Sequence, residues 1–145
     1  MSGIFVLQDD DDLVELEEAA YDTEDLLQDL LARFPSLIPG DQVDLDSPRK
    51  WLLVTREQGV PDQEGGSSRW SLDHLFLDQD GVPTLVEVKR SSDTRIRREV
   101  VGQMLDYAAN AVVYWPVESI QATFETRCER DEVDPDQLLE DLLGD

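Results

Sequence analysis

The sequence predicts an α/β fold in which a mixed four-stranded sheet is flanked by helices. Two segments have the 3.6-residue spacing of amphipathic helices, and four short runs are rich in β-branched and aromatic residues. In chain order these segments give a helix, three strands, a helix and a strand. Elements that alternate in this way pack as layers of helix on sheet.

The first predicted helix covers residues 23–34, TEDLLQDLLARF. Asp22 or Thr23 can cap its N-terminus, acids in its first turn suit the helix dipole, and Pro35 ends it. Five apolar residues at helical spacing form one apolar stripe: Leu26, Leu27, Leu30, Leu31 and Phe34.

Three strands are predicted next, at residues 50–56, 70–77 and 84–90. Residues 57–68 separate the first two, and their Gly, Pro and Ser content predicts an exposed loop. DQDG, at residues 78–81, predicts a tight turn, so the second and third strands should form an antiparallel hairpin.

The second predicted helix covers residues 94–110, TRIRREVVGQMLDYAAN, and Asn110 suits its C-terminal end. The next run, AVVYWPV at residues 111–117, is β-branched and aromatic and predicts the fourth strand. Pro116 places that strand at an edge of the sheet or near the strand's own end.

Length and composition predict one cytoplasmic domain. The 145 residues suffice for a single core, and no apolar run reaches the roughly 20 residues of a membrane span. Cys128 is the single cysteine, which excludes an internal disulfide and suits a free thiol in a reducing compartment. We therefore expect no membrane partner.

The net charge of −22 is concentrated at the two ends. Residues 1–47 hold 14 acids against one Arg, and residues 111–145 hold 10 acids against two Arg, whereas residues 48–110 hold 10 acids against nine basic residues. The chain as a whole should repel nucleic acid, because phosphate binding uses Lys and Arg. The predicted organisation is an acidic N-terminal segment, a central domain and an acidic C-terminal tail that can begin a further region: residues 1–21, 22–117 and 118–145.

Three charged residues interrupt the apolar strands of the hairpin. Side chains alternate along a strand, so Glu87 and Lys89 share one face, and Asp73 can join them across the hairpin. A surface cross-strand ion pair would explain any one of these charges. For the set, we favour a site, because acids in apolar strands cost desolvation unless they are paired or bind metal. Two carboxylates suit Mg²⁺ or Mn²⁺, and a neighbouring lysine can orient or deprotonate the attacking water and can neutralise charge on a phosphate.

The spacing of Asp73 and Glu87-Val88-Lys89 resembles the D…(D/E)-x-K motif of the PD-(D/E)XK nuclease superfamily, although Leu72 stands where the family name has proline. Gln103 and Tyr107 in the next helix resemble the Q-x-x-x-Y motif of some branches. The element order is similar to the αβββαβ core of restriction-endonuclease-like folds. Glu24 in the first helix is similar to the helix-1 acid of NucS-like branches. The resemblance covers about residues 22–115.

The resemblance implies a metal-dependent deoxyribonuclease, with an endonuclease favoured over an exonuclease. Asp73, Glu87 and the Val88 carbonyl would bind Mg²⁺ or Mn²⁺, and Lys89 would position the attacking water and contact the scissile phosphate. Glu24 would be an outer or additional ligand, for which the nearby acids Glu17, Glu18 and Asp25 are alternatives. Gln103 and Tyr107 would orient the site or contact DNA, although ordinary helix packing explains them equally well. The implied partner is DNA, and homodimers are common in this family type. The expected phosphate contacts are Arg56, Arg90, Arg95, Arg97 and Arg98.

Two alternatives stay open. A nuclease-like fold can serve as a binding module with little or no cleavage, or as an acidic DNA mimic, and the net charge of −22 favours this class. The chain can also be one domain of a longer protein whose other part binds DNA. The residues themselves do not distinguish repair, restriction and phage defence.

Overall fold

The computed structural model describes residues 3–8, 12–17, 19–20, 22–61, 68–90 and 99–144. Within them the fold is mixed α/β, with a two-stranded antiparallel hairpin, a three-stranded antiparallel sheet and four α-helices. The elements in chain order are β1 Ile4–Gln8, β2 Asp12–Leu16, α1 Glu24–Arg33, two 3-10 turns at Pro35–Leu37 and Gly40–Gln42, β3 Trp51–Pro61, β4 Ser68–Asp78, β5 Pro83–Val86, α2 Val101–Tyr114, α3 Val117–Asp131 and α4 Pro135–Leu143.

The predicted first helix is confirmed. Thr23 is its N-cap, and the Thr23 hydroxyl accepts a hydrogen bond from the Leu26 amide at 3.1 Å. Glu24 and Asp25 lie in the first turn, where their negative charges interact favourably with the positive end of the helix dipole. Leu31 is buried, and Pro35 begins the 3-10 turn that follows.

The three predicted central strands are present with shifted ends. β4 lies in the middle of the sheet, between β3 and β5. The predicted turn is confirmed, because the Gly81 amide donates to the Asp78 carbonyl at 3.0 Å and Gly81 has a φ of +75°, which glycine adopts without strain. β3 runs five residues further than predicted and β5 ends at Val86.

The prediction of a fourth strand and a four-stranded sheet is wrong. Residues 111–114 continue α2, and the Trp115 amide donates to the Ala111 carbonyl at the helix end. Asn110 therefore lies inside α2 and does not end it. Its side-chain amide donates to the Asp106 carbonyl, one turn earlier in the helix, at 2.8 Å. Extending an existing helix costs only the small propensity penalty of valine, whereas a new strand needs an edge to pair with. The sheet of the described residues therefore has three strands, all antiparallel.

The last two helices pack on the sheet. The α3 and α4 helices both contact β3, and Phe124, Cys128 and Leu142 are buried with the strand residues. The thiol of Cys128 is free, and its burial raises its pKa. The main core consists of Leu52, Val54, Val60, Leu72, Leu75, Tyr107, Phe124, Cys128 and Leu142.

At the opposite end of the chain, β1 and β2 pair in register from Ile4↔Leu16 to Gln8↔Asp12. Their side chains are mostly exposed. Within the described residues, no helix combines the length and the apolar composition that crossing a bilayer requires.

Candidate active site

Asp73 and Glu87 meet where β4 and β5 diverge. The β4–β5 register runs from Leu77↔Pro83 to His74↔Val86, and the next pair in that register is Asp73 with Glu87. The Asp73 amide donates to Glu87 Oε2 at 3.4 Å, and Asp73 Oδ2 accepts from the Val88 amide at 2.7 Å. Side chains thus replace the backbone ladder after Val86, which explains why β5 is shorter than predicted.

Lys89 completes the cluster. Its Nζ lies 2.7 Å from Glu87 Oε1, and the Glu87 side chain is only 5% exposed. Burial lowers the pKa of Lys89, but the hydrogen bond and charge of Glu87, together with the charges of Asp73 and Glu24, outweigh it and raise the pKa above its ordinary value. Lys89 is therefore a protonated donor at neutral pH. We call these three residues the Asp73–Glu87–Lys89 cluster.

Glu24 lies beside this cluster. It is the first residue of α1, and its Oε1 accepts from the Arg90 amide at 3.0 Å. Its charge acts on Lys89. Three separate segments of the chain therefore bring Glu24 to the Asp73–Glu87–Lys89 cluster. All four were predicted as site residues, and their roles stay predictions. Val88 contributes its amide to Asp73, and the role of its carbonyl stays a prediction.

Gln103 and Tyr107 are paired with each other on α2. The Gln103 side-chain amide donates to the Tyr107 hydroxyl, which in turn donates to the Ser71 carbonyl at 3.4 Å. Tyr107 is 1% exposed and belongs to the main core. Through Tyr107, α2 contacts β4 at Ser71, two residues before Asp73. A direct role of Gln103 and Tyr107 in a reaction stays a prediction.

The predicted phosphate contacts are divided. Arg56 is engaged within the protein, because its guanidinium lies 3.3 Å from Asp25 Oδ1 and 3.8 Å from Asp29 Oδ1. Arg90 is exposed next to the cluster. The other three, Arg95, Arg97 and Arg98, lie outside the described residues.

No protein-family model, curated protein or solved structure matches this chain.

The oxygen donors of the cluster fit a hard divalent cation. Among the described residues, no group of three or more His, Cys, Asp or Glu side chains is arranged to hold a metal ion. Mg²⁺ does not need such a group, since it commonly binds one or two carboxylates and completes its shell with water and phosphate oxygens. Asp73 and Glu87 supply two carboxylates, and each carboxylate has more lone pairs than the contacts above use.

His74 was not predicted as a site residue, yet it adjoins Asp73 and is fully buried. Its Nε2 lies 2.8 Å from the Gln28 carbonyl of α1, and burial lowers its pKa. Its Nδ1 has no hydrogen-bond partner among the residues that the structure describes. The available signal was that the one histidine of the chain stands between Asp73 and the apolar run Leu75–Leu77 of a strand.

Proposed function

We propose that this chain is a metal-dependent nuclease that hydrolyses phosphodiester bonds of DNA, with a restriction-endonuclease-like arrangement of its core. The observation that supports this proposal is the convergence of Asp73, Glu87 and Lys89 at the open end of the β4–β5 hairpin. An endonuclease is favoured over an exonuclease on the resemblance alone.

Asp73 and Glu87 would hold Mg²⁺ or Mn²⁺, and Glu24, which accepts from the Arg90 amide and acts on the charge of Lys89, would act as an outer carboxylate. A bound divalent cation would neutralise charge on the scissile phosphate and acidify a bound water. The Val88 amide fixes the Asp73 carboxylate, and the Asp73 amide contacts Glu87. The two acids are therefore oriented by main-chain groups before substrate arrives.

Lys89 acts as a cation and not as a base in this proposal. In the metal-free protein the raised pKa of Lys89 keeps its Nζ protonated at neutral pH, which favours this cationic role over that of a base. A protonated Nζ can donate to a phosphate oxygen or orient the attacking water through its oxygen. Glu87 holds this ammonium at 2.7 Å, which limits its freedom before substrate binds.

A second candidate is a binding module without cleavage activity. It is favoured by the net charge of −22 and by the engagement of basic side chains with the protein's own acids. Arg49 contacts Asp44, Asp78 and Asp80, and Arg56 contacts α1. These arginines would have to leave such pairs before contacting DNA.

The experiment compares cleavage of labelled single-stranded, duplex and branched DNA with Mg²⁺ or Mn²⁺ by the parent and two variants, Asp73→Asn and Lys89→Met. Matched controls are Asp80→Asn in the adjacent turn and Lys50→Met, which alters the only other lysine. We expect the two site variants to lose at least about 100-fold in rate, the magnitude typical of a lost charge-stabilising group. The controls should keep the parent rate.

Covalently closed circular DNA separates the two modes of cleavage, since an exonuclease has no end to attack. Equal rates for the parent and both site variants would refute the site. A folded parent that cleaves none of the substrates with either cation would refute the nuclease and leave the binding module.

A further inference from the structure

The α1 helix is held on the sheet by two side chains that the proposed reaction does not use. Arg56 of β3 contacts Asp25 and Asp29, and it also donates to the side-chain oxygen of Gln28 at 3.3 Å. His74 of β4 bonds the main-chain carbonyl of the same Gln28 at 2.8 Å. Both sheet residues thus converge on one turn of α1, and they are directly opposed in the β3–β4 register.

The contact made by His74 has a defined polarity. A carbonyl oxygen only accepts, so Nε2 must carry the hydrogen, and Nδ1 is the bare acceptor of the neutral ring. That Nδ1 is buried without a partner among the described residues. A buried polar atom without a partner is costly, so an apolar side chain of similar size would avoid this cost. What the imidazole adds over such a side chain is its Nε2–H bond to α1.

Gln28 lies one helical turn after Glu24, and a helix moves as a rigid unit over that distance. Whatever holds the Gln28 turn on the sheet therefore sets the position of Glu24. Glu24 in turn reaches the Arg90 amide at 3.0 Å and acts on the charge of Lys89.

We propose that His74 and Arg56 are positioning residues, which hold α1 so that Glu24 reaches the Arg90 main chain and the Asp73–Glu87–Lys89 cluster. The consequence for metal binding rests on the proposed nuclease function, whereas the consequence for Glu24 does not. Arg56 is accordingly assigned to α1 and not to the DNA backbone.

The first test uses the metal-free protein and measures hydrogen exchange of the Arg90 amide relative to the amides of β4. The β4 amides report changes in global stability, so a rise at Arg90 that they do not share reports local loss of its hydrogen bond. Glu24→Ala removes the acceptor and sets the reference, and we expect it to raise relative exchange about 10- to 100-fold, as for a lost hydrogen bond to a charged group. His74→Leu and Arg56→Met should each move relative exchange toward this reference. His74→Gln, which keeps a side-chain N–H donor, should restore protection.

Arg33→Met is the matched control, since Arg33 also pairs with an acid of α1 but lies on its exposed side. It should leave Arg90 protected. The proposal is overturned if the Arg90 amide stays protected in both His74→Leu and Arg56→Met. It is also overturned if Glu24→Ala exchanges the Arg90 amide no faster than the parent does. If His74→Leu does not fold, the Arg56→Met result decides alone.

The second test is Mn²⁺ affinity by calorimetry. We expect Glu24→Ala and His74→Leu to weaken binding by similar factors, about 10- to 100-fold, and the double variant to bind no more weakly than Glu24→Ala. Fully additive losses would mean that His74 does not act through Glu24, and would overturn its positioning role. If the parent binds no Mn²⁺, the proposed function fails, and the Arg90 measurement still decides whether His74 and Arg56 position Glu24.

Discussion

Replacing Lys89 by methionine should destabilise the fold, whatever the protein does. Lys89 Nζ lies 2.7 Å from Glu87 Oε1, and Glu87 is 5% exposed while Lys89 is 21% exposed. At an effective dielectric constant of about 20, charges at this separation attract by about 6 kcal/mol before desolvation is counted. Without Lys89, the Glu87 carboxylate stays buried beside Asp73 with no cation.

We expect Lys89→Met to lower the free energy of unfolding by about 2–4 kcal/mol. Removing one partner of a fully buried ion pair costs about 3–5 kcal/mol. The loss expected here is somewhat smaller, because Lys89 keeps some contact with water. Glu87→Gln should cost less, since the amide oxygen can still accept from Asp73 and the ammonium can turn to solvent. In the double variant neither partner of this pair remains charged, so its loss should be smaller than the sum of the two single losses.

The measurement is urea unfolding followed by circular dichroism, with Lys50→Met as the control. The Nζ of Lys50 makes an exposed contact with the Gly144 carbonyl at 3.1 Å, so its loss should change the free energy of unfolding by no more than about 0.5 kcal/mol. Because the pKa of Lys89 is raised, the pair contributes fully below the ordinary pKa of 10.5, and this contribution is lost as the pH rises through the raised value. The difference between parent and Lys89→Met should therefore be constant from about pH 7 to 10. A loss below about 0.5 kcal/mol, or an additive double variant, would show a solvated surface pair and refute this reasoning.

Four further predictions concern the folding of the protein. Burial lowers the pKa of His74 below its ordinary 6.5, so the unfolded chain binds more protons at this residue than the folded protein does. The free energy of unfolding should therefore fall as the pH drops below about 6.5, by at most about 1.4 kcal/mol per pH unit. His74→Gln should lose this pH dependence, and a constant stability difference from the parent between pH 7.5 and 5 would contradict the prediction. Tyr107→Phe leaves partners of a buried hydroxyl unbonded and should cost about 1–2 kcal/mol in the same assay, with no loss arguing that the hydroxyl is solvated. Phe124→Ala should cost about 3–5 kcal/mol, whereas a cost below about 1 kcal/mol would mean that α3 is not part of the folding unit. Gly40→Ala would place a Cβ 1.8 Å from the Arg49 carbonyl oxygen and should lower thermal stability by about 1–3 kcal/mol, and an unchanged melting temperature would refute that close approach.

Local patterns predicted most of the central elements. The stripe from Leu26 to Leu31, the Thr23 cap and the Gly81 turn depend on neighbours a few residues away, so the chain displays their causes directly. The same holds for the apolar runs of β3 and β4. Their ends were predicted less well, because strand length depends on which partner is available.

The erroneous fourth strand shows where local patterns fail. Val112, Val113, Tyr114 and Trp115 have strand propensity, yet the helix that begins earlier extends as far as Tyr114. Propensity differences of a few tenths of a kcal/mol do not compete with propagation of an existing helix. The packing of Phe124 and Cys128 was likewise missed, since charged and polar residues on both sides of them dominate the composition of that segment.

The sequence by itself predicted that Glu87 and Lys89 project to one side and that a hairpin turn brings Asp73 near them, although the third strand ends before Glu87. These statements follow from the two-residue period of strands and from the turn residues. Only the tertiary structure decided that Asp73 is level with Glu87, that Glu24 joins them and that Arg56 and His74 engage α1. The reason is that register, helix docking and ion-pair choice depend on contacts between segments that are 14 to 66 residues apart, and no local pattern specifies such contacts.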